Sequence, residues 1–171
     1  MFSSKTYSLS ALKKVLAERK ELGNSLNYPL RYPLYTLVDL TAEGGDLIGY
    51  AVLSDCSTTG VKLKKKGRDF RLWTVRWYLE QITILPDFEK QGYGKKLMKY
   101  LTDNFTGGIL LMAVDNTVPF YLCCGGIRVT SYIRFLYTDG YVLFLDNPKD
   151  ASRVLSGFTT ISKEVMNASK L

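Results

Sequence analysis

Two closely spaced glycines, Gly92 and Gly94, lie between a strand-like and a helix-like segment, an arrangement that could bind an anion. The residues from Tyr78 to Leu85 are largely apolar and rich in β-branched side chains, which predicts a strand. Pro86 ends this strand, because proline has no N–H for the sheet. After the glycines, apolar residues return at helical spacing and predict a helix to about Asn104.

A strand, a glycine loop and a helix N-terminus together favour a ligand that carries phosphate. Glycine permits a positive φ and a close approach of the backbone, and the first N–H groups of a helix lie at the positive end of its dipole. The loop lacks the lysine and serine or threonine that complete a P-loop, and it lacks the third glycine of a dinucleotide-binding turn. Both of those nucleotide sites are therefore disfavoured.

The sequence contains no histidine, which removes the commonest general base and the serine–histidine and cysteine–histidine nucleophile systems. Glu80 is the first candidate base, because a carboxylate inside an apolar strand is costly to bury without a function or a partner. In a regular strand Glu80 shares a face with Tyr78, Ile82 and Ile84. The simpler alternative is an ion pair with Arg76 or a lysine, or plain exposure to solvent.

The segment from Glu89 to Lys95 resembles the acetyl-CoA motif of the GNAT superfamily of N-acetyltransferases, Gln/Arg-x-x-Gly-x-Gly/Ala, which follows a strand and a proline-containing loop. The preceding residues Leu85–Phe88 look most like the same passage in histone acetyltransferases of the MYST class. Glu89 departs from the motif, where Gln or Arg is usual. In the family, the loop amides rather than this side chain do most of the pyrophosphate binding.

Two further segments carry the resemblance, which spans roughly Leu34 to Leu145. Gly45–Leu53 is similar to the family's strand with the sequence Gly-Tyr-Ala. Asn116, Phe120-Tyr121 and Gly125 resemble its Asn…Phe-Tyr-x-x-x-Gly segment, although Asn116 and Tyr121 stand about two residues closer than usual and a second glycine follows Gly125.

The resemblance implies an α/β (α+β) fold: a mixed, mainly antiparallel, twisted sheet flanked by helices, with two central strands splayed apart. The pantetheine arm of the donor would insert there and pair with the backbone of the signature strand as an extra strand would. The implied acetyl-CoA contacts are Ile82, Thr83, Ile84, Glu89, Lys90, Gln91, Gly92, Tyr93, Gly94, Lys95 and Asn116.

The implied activity is acetyl-CoA-dependent N-acetyl transfer to a primary amine by direct transfer in a ternary complex. Tyr121 would protonate the departing thiolate, and Glu80 would be the base, with Tyr78 as its alternate. The acceptor could be a lysine side chain, a protein N-terminus or a small amine, and could be acidic or macromolecular. The alternative function is a catalytically inactive module that binds CoA, or binds nucleic acid through residues 62–76.

Composition is typical of one small soluble domain. At 171 residues, 46% of them hydrophobic, we expect a single domain, 1–171, with a polar C-terminal segment 147–171. Three cysteines without histidine argue against both a disulfide framework and a metal site. We expect no signal peptide, no membrane partner, a cytoplasmic location, and a monomer or homodimer.

A basic segment at 60–77 accounts for much of the net charge of +7. Its cations are Lys62, Lys64, Lys65, Lys66, Arg68, Arg71 and Arg76, against one acidic residue, Asp69. Phe70, Trp73 and Trp77 are interleaved with them. Such a hairpin attracts an acidic protein, a nucleic acid or the substrate. The simpler alternative, favoured on the sequence alone, is a solvated hairpin whose aromatic side chains pack inward. A nucleic-acid partner is a candidate but is not favoured.

Capping, alternation and turn signals predict the remaining elements. A short first strand ends near Tyr7, and Ser10 caps a helix that runs to Leu22. The other predicted elements are the strands Leu34–Leu40, Leu47–Leu53 and Ile109–Val114, helical turns at Val118–Cys124, and a hairpin of Tyr132–Tyr137 with Tyr141–Leu145 about Asp139-Gly140.

Overall fold

The structure, a computed structural model, describes residues 1–19, 32–65, 68–113, 117–129, 140–147, 149 and 152–156. Its strands are β1 (Phe2–Ser8), β2 (Leu34–Thr41), β3 (Leu47–Asp55), β4 (Val61–Lys65), β5 (Arg68–Leu72), β6 (Trp77–Ile84), β7 (Ile109–Ala113), β8 (Ile127–Val129) and β9 (Gly140–Phe144). Its helices are α1 (Leu9–Glu18), α2 (Tyr93–Asn104) and α3 (Val118–Cys123).

Seven of the described strands form one sheet in the order β1-β2-β3-β6-β7-β9-β8, and β4 pairs with β5 in a separate two-stranded sheet. The pairs β1–β2, β2–β3, β7–β9 and β8–β9 are antiparallel. The predicted mixed, mainly antiparallel sheet with flanking helices is therefore confirmed.

The chain divides into two compact units. The first consists of Met1–Asp55 and Leu79–Tyr100, and the second of Cys56–Tyr78 with the described residues of Leu101–Leu171. In the first unit, β1, β2 and β3 form an antiparallel meander, and the seven interior residues of β3 are all buried. A strand covered on both faces reads as a continuous apolar run, which the sequence Leu47–Leu53 shows.

Helix α1 begins and ends earlier than predicted. Ser8 rather than Ser10 is the N-cap, with its hydroxyl accepting a hydrogen bond from Ala11 N–H, and Ser10 lies inside the first turn. The helix ends at Glu18, because Arg19 adopts an extended conformation and pairs with Asp39 of β2 through two 2.6 Å hydrogen bonds. The predicted end at Leu22 is therefore wrong.

Gly49 allows β3 to lie against the backbone of β6. A Cβ at this position would lie 2.5 Å from the Thr83 carbonyl oxygen and 2.7 Å from Ile84 Cδ1. Such distances are far below normal van der Waals contact, so only glycine fits without a shift of the strand. The Gly-Tyr-Ala signature is thus explained by the close approach of two backbones.

In the second unit, Trp77 at the start of β6 is a packing centre. Its indole N–H donates to Thr106 O at 2.9 Å, and its ring packs edge-on against Phe105 with centroids 5.0 Å apart. The backbone N–H groups of Arg76 and Trp77 bond to the carbonyls of Gly107 and Gly108. The prediction of inward-packing aromatics is correct for Trp77 but wrong for Trp73, which is 62% exposed.

β8 was not predicted from the sequence. Ile127, Arg128 and Val129 pair with Leu143, Val142 and Tyr141 of β9. The predicted strand Tyr141–Leu145 corresponds to β9, which begins at Gly140 opposite Ala113, whereas Asp139 of the predicted turn lies outside the described residues. The predicted strand Tyr132–Tyr137 lies outside the described residues.

In the C-terminal segment, the described residues 152–156 are helical. Across the described part of the chain, no helix has the length and apolar character needed to cross a membrane.

The close approach at Gly49 predicts the outcome of a single added methyl group. Gly49→Ala should destabilise the protein by roughly 1–3 kcal/mol, because overpacking forces the strands apart. The matched control is Gly44→Ala, in the preceding turn, where an added Cβ meets only Asp46 Oδ2 at 3.9 Å. Gly44→Ala should change the free energy of unfolding by no more than about 0.5 kcal/mol. Urea denaturation of the three proteins measures both values, and equal losses in the two variants would contradict this role for Gly49.

Candidate active site

Strand β6 leads into a turn that hydrogen bonds hold in place. Leu85 donates its N–H to Ile48 O at 2.8 Å, which ties the end of β6 to β3. Pro86 then opens a 3-10 turn, in which Phe88 N–H donates to Leu85 O at 2.9 Å and Glu89 N–H donates to Pro86 O at 3.2 Å. The chain therefore leaves the sheet in a defined direction.

The next residues have unusual backbone conformations. Gly92 has φ of 83°, and Lys90 has φ of 59°, the one positive value of a non-glycine among the described residues. Residues other than glycine rarely adopt a positive φ, so this backbone conformation is energetically costly at Lys90. A Cβ on Gly92 would meet no atom within 4 Å. The space beside Gly92 is therefore open to a ligand.

The loop presents a row of backbone donors. No backbone hydrogen bond of the described residues uses the N–H groups of residues 90–95. The first helical bond of α2 runs from Lys96 N–H to Gly92 O at 3.1 Å, so the donors continue to the positive end of the helix dipole. The side chains of Lys95 and Lys96 are exposed and add positive charge there. An anion with several oxygens matches this row.

A cluster of polar side chains includes Gln81 of β6, the strand that precedes this loop. Gln81 donates from Nε2 to the Tyr50 hydroxyl at 2.9 Å and to Thr83 Oγ1 at 3.1 Å. Ile82, Thr83 and Ile84, the residues expected beside the pantetheine arm, are all half-buried. Residues this close to the surface at the end of a central strand can meet a ligand that lies along it.

Glu80 is held by a hydroxyl that the sequence analysis did not identify. Its Oε1 accepts a hydrogen bond from Ser54 Oγ at 2.5 Å, and Ser54 is fully buried in β3. Trp77 and Leu79 are buried, whereas Tyr78 and Glu80 are half-buried, as expected for alternate faces of a regular strand. Glu80 therefore keeps contact with solvent while one of its oxygens is fixed.

Tyr121 lies in helix α3 of the second unit and is only 8% exposed. Burial raises the pKa of Tyr121 to about 12, and the charge of the Cys124 thiolate adds to this effect. Burial acts in this direction because a phenolate loses more solvation than a phenol. At neutral pH the hydroxyl is therefore protonated and able to donate.

Two adjacent glycines after α3 have different roles. Gly125, with φ of 91°, ends the helix. Gly126 donates its N–H to Tyr121 O at 3.0 Å, and a Cβ there would lie 2.5 Å from Val142 Cγ1. The double glycine thus fixes the helical turn that carries Tyr121 against β9.

The predicted site residues fall into both units. The first unit contains Glu80, Ile82–Ile84 and the loop 89–95, whereas Tyr78 and Tyr121 belong to the second. Asn116 lies outside the described residues. Ser54 and Gln81 were not among the site residues predicted from the sequence. Ser54 could have been noticed as a hydroxyl inside the apolar run of β3, but its partner depends on which residues of β3 and β6 lie side by side.

These groups can serve three chemical tasks. The amide row can bind a phosphate-bearing ligand, the Glu80 carboxylate can accept a proton, and the Tyr121 phenol can give one.

Comparison with known proteins agrees with the architecture. A family model described as the acetyltransferase (GNAT) family matches residues 9–125. A comparison with curated proteins gave no match.

Two solved structures from Vibrio cholerae illustrate the structural similarity. A spermidine N-acetyltransferase SpeG chimera with hSSAT aligns with a TM-score of 0.53 at 14% identity, covering 85% of this chain and 95% of its own. Mutant forms of the spermidine/spermine N-acetyltransferase SpeG align with a TM-score of 0.50 at 14% identity over the same shares. At this identity the similarity establishes the fold.

The raised pKa of Tyr121 predicts a loss of stability in alkali. The folded value of about 12 lies above the unfolded value of 10.0, so the folded state holds its proton more tightly. The resulting stabilisation is complete below pH 10 and is lost as the pH rises to 12, by about 3 kcal/mol in order of magnitude. Urea denaturation between pH 9 and 12 should show this extra loss in the wild type relative to Tyr121→Phe. Parallel profiles would contradict the buried position of the phenol.

Proposed function

The chain belongs to the acetyltransferase (GNAT) family, and we propose that it moves acetyl from acetyl-CoA to a primary amine by direct transfer in a ternary complex. It is an N-acetyltransferase, and members of the family take the acetyl group from acetyl-CoA. The observation that carries the proposal is the row of unused backbone N–H groups at residues 90–95, at the start of α2.

The diphosphate of CoA is proposed to bind this row. Its oxygens would accept from the amides between Lys90 and Lys95, which include those of Gln91, Tyr93 and Gly94. The open space beside Gly92 would admit the phosphate without a clash. Lys95, exposed in the first turn of α2, is the best placed side chain to add charge. Glu89 is also exposed, and its own side chain is not needed in this arrangement.

The pantetheine arm is proposed to lie along the end of β6. Its amides would pair with backbone groups of Ile82, Thr83 and Ile84, as an added strand pairs with a sheet. Gly49 supports this arrangement, because a side chain at that position would clash with the Thr83 carbonyl oxygen and displace the backbone of β6. Asn116 is kept as a proposed further contact of the donor.

Glu80 is proposed to take the proton of the acceptor ammonium. The hydrogen bond from Ser54 orients the carboxylate, and partial exposure leaves a route for the proton to solvent. The carboxyl group returns this proton to solvent, and the freed amine attacks the thioester carbonyl. An N–C bond forms as the C–S bond breaks, and Glu80 accepts the second proton that leaves the nitrogen. Tyr78, which is also half-buried, is the alternate base.

Tyr121 is proposed to give its proton to the departing sulfur. With a pKa of about 12, the phenol is fully protonated at neutral pH and carries the proton when the thiolate forms. Proton donation at this point neutralises the charge that develops on the leaving sulfur as the C–S bond breaks. The phenolate regains its proton from solvent, which closes the cycle.

The wider setting is proposed from the composition and the thiols. None of Cys56, Cys123 and Cys124 forms a disulfide, which fits a reducing compartment such as the cytoplasm. We treat residues 1–171 as one acetyltransferase domain that acts as a monomer or homodimer. The acceptor is a small-molecule amine, a lysine side chain or a protein N-terminus.

Replacing the proposed acid and base should separate chemistry from binding. Tyr121→Phe and Glu80→Gln should each lower kcat by about a hundredfold or more, with little change in the KM for acetyl-CoA. Initial rates of thiol release, measured with spermidine, a lysine peptide and a peptide with a free N-terminus, test this. Direct transfer also predicts intersecting double-reciprocal plots.

The matched controls are Tyr7→Phe, a half-buried tyrosine of β1, and Glu18→Gln, an exposed glutamate at the end of α1. Both should keep wild-type rates. Parallel double-reciprocal plots would replace direct transfer by a covalent intermediate. A normal Glu80→Gln enzyme together with a slow Tyr78→Phe enzyme would move the base to Tyr78. No turnover of acetyl-CoA with any acceptor would favour the inactive binding module.

A further inference from the structure

The hairpin formed by β4 and β5, with Trp73 directly after it, is a feature that acetyl transfer does not require; we call it the basic hairpin. Seven lysines and arginines lie between residues 62 and 76, against one aspartate. The hairpin forms its own two-stranded sheet. A local charge of this size attracts polyanions and is screened by salt.

One face of the basic hairpin anchors it within the second unit. Val61, Leu63 and Leu72 are at most 2% exposed, and Val75 just beyond the hairpin is buried as well. Since side chains alternate along a strand, Lys62 and Arg71 point the other way. The hairpin is therefore a fixed platform with an outward face.

The outward face carries cations at opposed positions. The register places Lys62 directly opposite Arg71. Arg71 is exposed, and its guanidinium donates from Nη1 to Thr59 O, which holds the side chain over the adjoining turn. Side chains at directly opposed positions lie about 5 Å apart at Cβ. Both cations can contact one stretch of a polyanion backbone.

Trp73 adds a large exposed aromatic surface beside these cations. It is 62% exposed, whereas the other tryptophan, Trp77, is only 9% exposed. The indole lies against Gly60, where a Cβ would be 3.1 Å from Trp73 Cδ2 and 3.2 Å from Cε2, the two atoms shared by its rings. Gly60, with φ of 64°, thus supports the ring without covering it.

We propose that the outward face of the basic hairpin binds single-stranded nucleic acid, with Lys62 and Arg71 on the phosphates and Trp73 stacked on a base. Cations alone fit any polyanion, including an acidic peptide. An exposed, supported indole next to them distinguishes the candidates, because every base offers a flat face on which an aromatic ring can stack. The recognition is therefore expected to tolerate many sequences.

Binding is measured by fluorescence anisotropy with short labelled oligouridylate and oligothymidylate, which separate RNA from DNA. We expect a Kd of about 1–100 µM near physiological salt. Trp73→Ala should weaken binding about tenfold without changing its salt dependence. Lys62→Ala/Arg71→Ala should reduce the slope of log K against log salt by about 1.4, the value for two phosphates of a single strand.

The matched control for charge is Lys13→Ala/Lys14→Ala, which removes two exposed lysines from α1 and should leave the slope of binding within error of the wild type. Trp73→Phe keeps an aromatic ring and should restore most of the affinity lost in the alanine variant. The two tryptophans offer a second readout. Stacking should quench wild-type tryptophan fluorescence, whereas in Trp73→Phe the emission of buried Trp77 should not change.

Several outcomes would overturn the proposal. Binding that Trp73→Ala leaves intact would show attraction by charge alone, as would equal affinity for poly-glutamate in place of the oligonucleotide. If Lys13→Ala/Lys14→Ala reduced the salt dependence as much as Lys62→Ala/Arg71→Ala, binding would depend on the net charge of the protein and not on the basic hairpin. No binding to either oligonucleotide at low salt would exclude a nucleic-acid site on the basic hairpin. Acetyl transfer is measured separately, so failure here leaves the enzyme assignment standing.

Discussion

The central constraint on this protein is that residues 90–95 keep their backbone N–H groups out of every backbone hydrogen bond of the described structure. Unused backbone donors are costly unless water or a ligand takes them. The neighbouring elements produce this arrangement: Leu85 is fixed to Ile48, Pro86 cannot continue the sheet, and Lys90 adopts a φ of 59°. Only then does α2 begin, with Gly92 O as its first acceptor. The strand, loop and helix together therefore present the row of donors to which we propose that the diphosphate of acetyl-CoA binds.

Burial differs between the two side chains that we propose exchange protons. Glu80 is only half-buried and accepts a hydrogen bond from Ser54. Tyr121 is almost completely buried, and desolvation keeps its phenol neutral well beyond physiological pH. In this chain without histidine, the proposed proton acceptor and the proposed proton donor are therefore groups whose ordinary pKa values lie far from neutrality.

Local signals in the sequence were sufficient where a residue type determines the conformation. Pro86 and Gly92 specify the exit from β6 and the loop, so β6 was predicted within one residue and the end of α2 at Asn104 was predicted correctly. The helix begins at Tyr93, however, earlier than the predicted start after Gly94. The cap of α1 was not, because Ser8 and Ser10 are equally good caps. The choice between them depends on how far β1 stays paired with β2, and that pairing runs to Ser8 opposite Leu34.

The missed features depend on contacts distant in sequence. Ser54 and Glu80 are 26 residues apart, so no local pattern reveals their hydrogen bond. Trp73 and Trp77 have similar neighbours in the sequence, yet Trp73 lies beyond the end of β5 whereas Trp77 begins β6. β8 was not predicted either, because Ile127, Arg128 and Val129 are held in a strand by residues of β9 that are distant in the sequence.

The most direct test of the central claim is calorimetric titration of the protein with acetyl-CoA, comparing the wild type with Gly92→Glu. The variant places a carboxylate and a side chain in the open space beside the unused amides, where the structure has no other atom within 4 Å. We predict saturable binding by the wild type at micromolar concentration and none by a folded Gly92→Glu protein. No binding by the wild type, or undiminished binding by the variant, would contradict the assignment of this loop as the acetyl-CoA site.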